Sequence, residues 1–335
     1  MRVLFLLKLF TVSVHCYGIL SNQFPIFVLR IKDYKQMLIL FCNNFIDQKQ
    51  VDPDFENEYS AAVKAGLITA LIRFEALKNE KDVNKSLRLV ETQPESTKAI
   101  YRGWMLPPSD YDIFYHALKE KNIELINSPE QYTSCHYLPN SYKWIEGYTP
   151  RSIWTNVSSD FKIDDVLPII SNEFGTDPIV VKDFVKSNKH SWKESCYIPD
   201  ASDREQARKV ITNFMRFQGK DLNEGLVFRK FEDLEFLTEH SKSGMPLTKE
   251  YRLFFLRGNL IGVFNYWDEG DYQHEQPPLD MFISIAKNID SNFFTMDMSK
   301  KKDGSWIIME LGDGQVSGLP DNADVIEYYE RLGNR

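Results

Sequence analysis

Two acids placed symmetrically about a turn are the residues in this chain best suited to chemistry. Asp303-Gly304 lies between two apolar runs of strand length in FFTMDMSKKKDGSWIIMELGDGQVS (residues 293–317), a strong signal for a β-hairpin. If these two residues are the centre of the turn, partners are equidistant from it. Asp297 then falls opposite Glu310. Opposed side chains start roughly 5 Å apart at Cβ, and like charges so placed repel unless something positive lies between them. A pair of oxygen ligands suits Mg²⁺. An odd-length loop or a bulge would shift the pairing, and Lys300, Lys301 and Lys302 are candidates to form such a loop. The alternative is a surface hairpin with unrelated acids; Gly-Asp-Gly-Gln directly after Glu310, an unusual end for a plain strand, favours the metal site.

Positive charge stands at three other places. Lys182 ends the apolar run PIVV rather than decorating a helix, so its ammonium needs a partner near a buried surface, and phosphate would supply one. Lys186 and Ser187 continue that cradle; Lys189 reads equally as a solvated basic turn. Glu250 and Arg252 are two apart in EYRLFFL and share one strand face, as an internal ion pair or as part of a site. Arg102 ends a strand in YRGWML, where open α/β sheets bind ligands, and its guanidinium fork matches a carboxylate; a salt bridge is the alternative.

These residues need an alternating scaffold to hold them. MLILFC (37–42), LITALIRF (67–74), KAIYRGWML (98–106) and IELIN read as strands, with helices over residues 52–66 and 109–122, which predicts a largely parallel sheet. The aromatic-rich stretch after Pro129 covers one end of it, and GYTPR (147–151) marks a boundary. Beyond that lie helices over 163–174, 203–217 and 277–289, strands over 178–182 and 225–234, a hairpin over 250–267 turning at Arg257-Gly258-Asn259, and a closing helix over 321–332. The expected organisation is an apolar N-terminal extension (1–36), a leading α/β domain (37–147) and a second body (148–335). Residues 1–20 resemble a signal peptide, but Lys8 interrupts the apolar run and no A-x-A site follows; an upstream start with Met37 as the functional one is preferred, an anchor or signal being the alternative.

The chain has 335 residues, 43% hydrophobic and 13% aromatic, ample for buried cores, and a net charge of −8 argues against a nucleic-acid surface. Four cysteines lie far apart with no C-x-x-C, which fits a reducing compartment and a cytoplasmic location.

In order, Lys182, the strand FRKFEDL, Glu250-x-Arg252, Asp297 and Glu310 resemble an ATP-grasp domain over roughly residues 150–330. The chain is similar to a branch of that superfamily through DPDFENEY (52–59), YRGWML (101–106), VVKDFVKS (180–187), EYR (250–252) and ELGDGQV (310–316). The resemblance implies a leading Rossmann-like α/β domain followed by a two-subdomain ATP-grasp fold of α+β type. It implies ATP on Lys182, with Arg229, Phe231 and Glu232 along the adenine and ribose and Glu250 in the same nucleotide site. Arg252 would stabilise the transferring phosphoryl group, and Asp297 and Glu310 would hold Mg²⁺. Gly312 stands where the family's Asn would, making Asp313 the candidate third ligand, and VKSNKHSW replaces a Gly-rich phosphate loop, giving Lys186 and Ser187 its role. The implied activity is a ligase that activates a small-molecule or peptide carboxylate as an acyl phosphate for attack by an amine. Arg102 would orient the acid. A kinase on the same scaffold and a nucleotide-binding module without chemistry are the alternatives.

Overall fold

The computed structural model describes residues 37–187, 191–242 and 244–333, which belong to one compact unit. The N-terminal extension and Lys189 lie outside the described residues.

The first sheet is parallel, in the order β2-β1-β3-β4, built from β1 (Leu38–Cys42), β2 (Ile68–Ile72), β3 (Thr97–Arg102) and β4 (Ile123–Leu125). β1 is buried along its whole length, as a continuous apolar run in the middle of a parallel sheet must be. The helix Glu56–Lys64 follows a short turn in which the Asp52 side chain accepts from Asp54 N at 3.0 Å, and Gly66 stops it with φ of 78°. The C-terminal helix Val325–Gly333 returns to this sheet and sets Tyr328, Tyr329 and Leu332 in the same core as Phe41 and Ala62. The aromatic stretch after Ser128 folds as two helices, Pro129–His136 and Leu138–Ile145. A reciprocal cap starts the first, Ser128 Oγ accepting from Gln131 N at 3.3 Å and Gln131 Oε1 from Ser128 N at 3.2 Å.

Two antiparallel sheets follow. One has the order β5-β8-β6-β7, from β5 (Ser152–Asn156), β6 (Ile179–Asp183), β7 (Tyr197–Ile198) and β8 (Gly225–Lys230). Helices Ile163–Phe174 and Arg204–Gln218 pack their apolar faces into its core. β5 was not expected; as an edge strand with Trp154 40% exposed it lacks the apolar run that announces a buried strand. The other sheet has the order β12-β11-β13-β14. It follows a small ribbon of β9 (Phe236–Glu239) and β10 (Pro246–Thr248), and is made by the hairpin β11 (Glu250–Leu256) and β12 (Asn259–Asn265) and the hairpin β13 (Phe293–Lys300) and β14 (Trp306–Asp313).

The second hairpin reaches the expected pairing by an indirect route. Lys300 pairs with Trp306, which leaves a five-residue loop, Lys301 to Ser305, centred on Asp303 rather than between Asp303 and Gly304. That odd loop would put Asp297 opposite Met309. A bulge between Met298 and Asp297 restores the register, and Asp297 pairs with Glu310. Loop and bulge cancel.

Candidate active site

A cleft of about 190 Å³ lies where the two antiparallel sheets and the helices of residues 129–145 meet. β6 and the turn after it contribute Lys182, Phe184, Val185 and Lys186; β11 contributes Arg252; β13 contributes Thr295 and Asp297; β14 and the residues after it contribute Glu310 to Gly312 and Val316 to Gly318. Met105, His136, Leu138 and Ser141 close the remaining wall.

Charge balance inside the cleft is tight. Lys182 is 7% exposed, and its Nζ donates to Glu310 Oε2 at 3.2 Å, so β6 of one sheet meets β14 of the other through this pair. Arg252 pairs with Asp297 across β11 and β13, Nε donating to Oδ1 at 2.8 Å and Nη2 to Oδ2 at 2.6 Å. Its Nη1 donates to Gly318 O at 3.0 Å, and its guanidinium carbon lies 4.8 Å from the Tyr266 ring centroid. Burial alone would lower the Arg252 pKa, but the Asp297 carboxylate outweighs that and holds the guanidinium firmly charged. These two cations are what permit Asp297 and Glu310 to face one another. Asp183 shapes the turn that carries Lys186, accepting from Val185 N at 2.7 Å and also from Lys186 N.

Of the residues expected in the site, Lys182, Lys186, Arg252, Asp297 and Glu310 line the cleft together. Three others have different work. Arg102 is 1% exposed: Nε and Nη2 donate to Glu58 at 2.8 Å each, and Nη1 to Gly314 O at 2.6 Å and Ser317 O at 2.8 Å. These bonds tie the residues following β14 to the first sheet. Arg229 is 6% exposed and lies beneath the hairpin, donating to Met309 O at 2.6 Å, the carbonyl of the bulge, and to Thr149 Oγ1 at 2.5 Å. Burial lowers its pKa to about 10. Asp313 is fully buried on the strand face opposite Glu310, accepting from Asn127 Nδ2 at 2.6 Å and Gln315 N at 2.9 Å. Burial raises its pKa to about 7.

Ser187, Phe231, Glu232 and Glu250 are not part of the cleft wall. Phe231 packs edge-on against Tyr197, Glu232 pairs with Lys301 at 3.4 Å, and Glu250 accepts from the Thr248 hydroxyl and from Trp267 Nε1 at 3.4 Å. Gly312 does have a structural reason to depart from Asn: a Cβ there would lie 2.7 Å from Thr295 Oγ1 and 2.8 Å from Ser317 Oγ, which bond each other at 2.9 Å.

His136, Ser141 and Thr295 were missed. A lone His among aromatics carries no sequence signal distinguishing a cleft wall from a core. Burial lowers the His136 pKa to about 4, with the Lys186 and Lys182 charges adding to that and Glu310 opposing it.

Two facing antiparallel sheets with a strand-end Lys on one and an acid hairpin on the other, behind a parallel α/β sheet, define the ATP-grasp fold. Residues 173–332 match the family model described as ATP-grasp domain, R2K clade family 3. The fold is similar to that of D-cycloserine synthetase DcsG, at 12% identity and a TM-score of 0.54 over 89% of this chain and 99% of that one. It is also similar to ATP-grasp ligase PsnB complexed with minimal precursor, Mg and ADP (11% identity, TM-score 0.52, 89% and 97% covered). D-alanine–D-alanine ligase from Bacillus anthracis complexed with ATP is a third (12% identity, TM-score 0.52, 89% and 94% covered). No curated protein matches the sequence. No helix among the described residues is long and apolar enough to cross a membrane.

Proposed function

We propose that the protein is an ATP-dependent, Mg²⁺-requiring ligase that joins a carboxylate to an amine through an acyl phosphate. The observation that carries this reading is the convergence in one cleft of Asp297 and Glu310, directly opposed across β13 and β14, with Lys182 from the other sheet and Arg252 beside them.

The donor set fits magnesium. Among the described residues no group of three His, Cys, Asp or Glu forms a metal cage, and two carboxylates completed by phosphate oxygens and water are the set Mg²⁺ prefers. Asp297 and Glu310 would hold it; when bound, it neutralises polyphosphate charge. Lys182 and Lys186, both in the cleft wall, add positive charge along the phosphates. Arg252, fixed by Asp297 and Tyr266, waits beside the transferring phosphoryl group without reorganising. A carboxylate oxygen of the substrate attacks the γ-phosphorus, the bond to the β-phosphate oxygen breaks, and ADP leaves with the electron pair. An amine then forms a C–N bond at the acyl carbon as the C–O bond to phosphate breaks, and the departing phosphate takes the surplus proton. No side chain needs to act as a covalent nucleophile.

ADP release from Mg·ATP against pooled amino acids, peptides and other carboxylates, with hydroxylamine as a general amine, tests this reading. Release is expected to require both a carboxylate and the amine, and to fall at least a hundredfold in Lys182→Ala. Release with an acceptor but no amine dependence would make the protein a kinase, and no release with any pool would overturn catalysis.

A further inference from the structure

Four buried side-chain atoms have no hydrogen-bond partner among the described residues: Ser86 Oγ, Arg229 Nε, Tyr328 OH and His136 Nε2. Of the four residues, His136 is the one that lines the cleft. Folded proteins leave few buried polar atoms unpaired, and one in a cleft wall is a place where a ligand completes the bonding. The residue is 8% exposed.

Its ring is held in place before anything binds. His136 stacks on Tyr132 with centroids 5.4 Å apart, and Tyr132 stacks on Tyr111 at 3.9 Å. Tyr132 is itself pinned at both ends of its hydroxyl, donating to Leu106 O at 2.8 Å and accepting from Leu106 N at 3.0 Å. An imidazole fixed this firmly positions a partner instead of adapting to it.

The chemistry of the wall selects the partner. Lys182, Lys186 and Arg252 already provide the cations that phosphate needs, and they line the cleft from the two antiparallel sheets. His136 enters from the helix Pro129–His136 rather than from either antiparallel sheet, close enough to the charged wall for Glu310, Lys186 and Lys182 to act on it, which puts it where a nucleophile must approach an acyl phosphate. Burial keeps the imidazole neutral at physiological pH, so it offers one acceptor nitrogen and one N–H donor. A neutral amine, whose lone pair must be free to attack while its N–H groups are held, matches an acceptor of this kind.

We propose that His136 marks the acceptor-amine subsite, accepting a hydrogen bond from the amine N–H and holding the nitrogen lone pair towards the acyl carbon. This rests on the ligase reading above. In the step it serves, the C–N bond forms, the C–O bond to phosphate breaks, and the surplus proton leaves on the phosphate, so His136 orients the nucleophile and ends the step unchanged.

The test uses the full chain, labelled with ¹⁵N-histidine and loaded with Mg²⁺ and a non-hydrolysable ATP analogue, titrated with hydroxylamine. The His136 imidazole signal, assigned by its loss in His136→Phe, is expected to shift and saturate. A signal that stays still across the titration overturns the proposal. In ADP release with pooled carboxylates, His136→Phe is expected to raise the KM for hydroxylamine at least tenfold with analogue affinity unchanged, and His136→Gln, which keeps an acceptor, to recover part of the loss. An unchanged KM in His136→Phe also overturns it. If the wild-type protein releases no ADP with any carboxylate, the ligase reading fails, and the imidazole shift alone decides whether an amine binds here.

Discussion

The Arg102 guanidinium is committed within the protein: its fork meets Glu58, Glu58 also accepts from Tyr329 OH at 2.6 Å, and Nη1 reaches the carbonyls of Gly314 and Ser317. A buried ion pair of this kind is costly to break because the partner left behind stays buried. Arg102→Lys keeps a charge but loses the fork, and should lower stability by roughly 3 kcal/mol in urea titrations. Turnover per folded molecule should stay within a few-fold. Full stability with lost turnover would return Arg102 to the substrate. Asp313 gives a pH signature. Its carboxyl titrates near 7 in the folded chain against an ordinary value of 3.8, so the folded state binds the proton more tightly. Its contribution to stability is therefore fullest in acid and is lost as pH rises from about 4 to about 7, by up to about 4 kcal/mol. Asp313→Asn should flatten that part of the stability profile, measured as the urea midpoint across the window. An unchanged slope would mean that Asp313 is ionised throughout.

At the scale of elements, the position of the Asp297–Glu310 pair depends on a bulge. Arg229 holds the Met309 carbonyl that the bulge turns out of the ladder, while Thr149 fixes the other end of the guanidinium. Arg229→Lys should lose this two-point hold at a cost of about 2 kcal/mol and lower nucleotide turnover, because Glu310 follows Met309 directly. Normal turnover in a destabilised variant would show that the register holds without it. The sequence made the Asp297–Glu310 pairing legible, but through a turn centre that was half a residue off and a bulge with no sequence mark, two displacements that offset each other. Lys182 was legible because a cation at the end of a buried strand requires a partner. Arg102, read from its strand end, and Arg229, named through the resemblance, are both buried against protein partners, and one sequence does not say whether a buried charge meets ligand or protein. That Asp313 lies on the face away from Glu310 was legible from strand alternation. The place of His136 in the cleft wall was not, because it depends on packing between distant segments.

Across the whole molecule, the carboxyl end of the parallel sheet, where such sheets commonly take ligands, receives the chain's own residues after β14. Gln315 Oε1 accepts from Tyr101 N at 3.2 Å, and its amide donates to Tyr111 OH at 2.8 Å. The first sheet therefore braces the cleft, while the charged side chains that line it come from the two antiparallel sheets and the turn after β6. Asp297 is part of that brace through Arg252, so Asp297→Ala would strand a buried guanidinium; Glu310, with its side chain 41% exposed, is the acid to change. Calorimetric titration of ATP into the wild-type protein and Glu310→Gln, each with Mg²⁺ and with chelator, tests the central claim most directly. Wild-type affinity should rise at least tenfold with Mg²⁺, and Glu310→Gln should lose most of that gain while melting at a similar temperature. Wild-type binding that ignores Mg²⁺, or a Glu310→Gln variant that keeps the full gain, would contradict it.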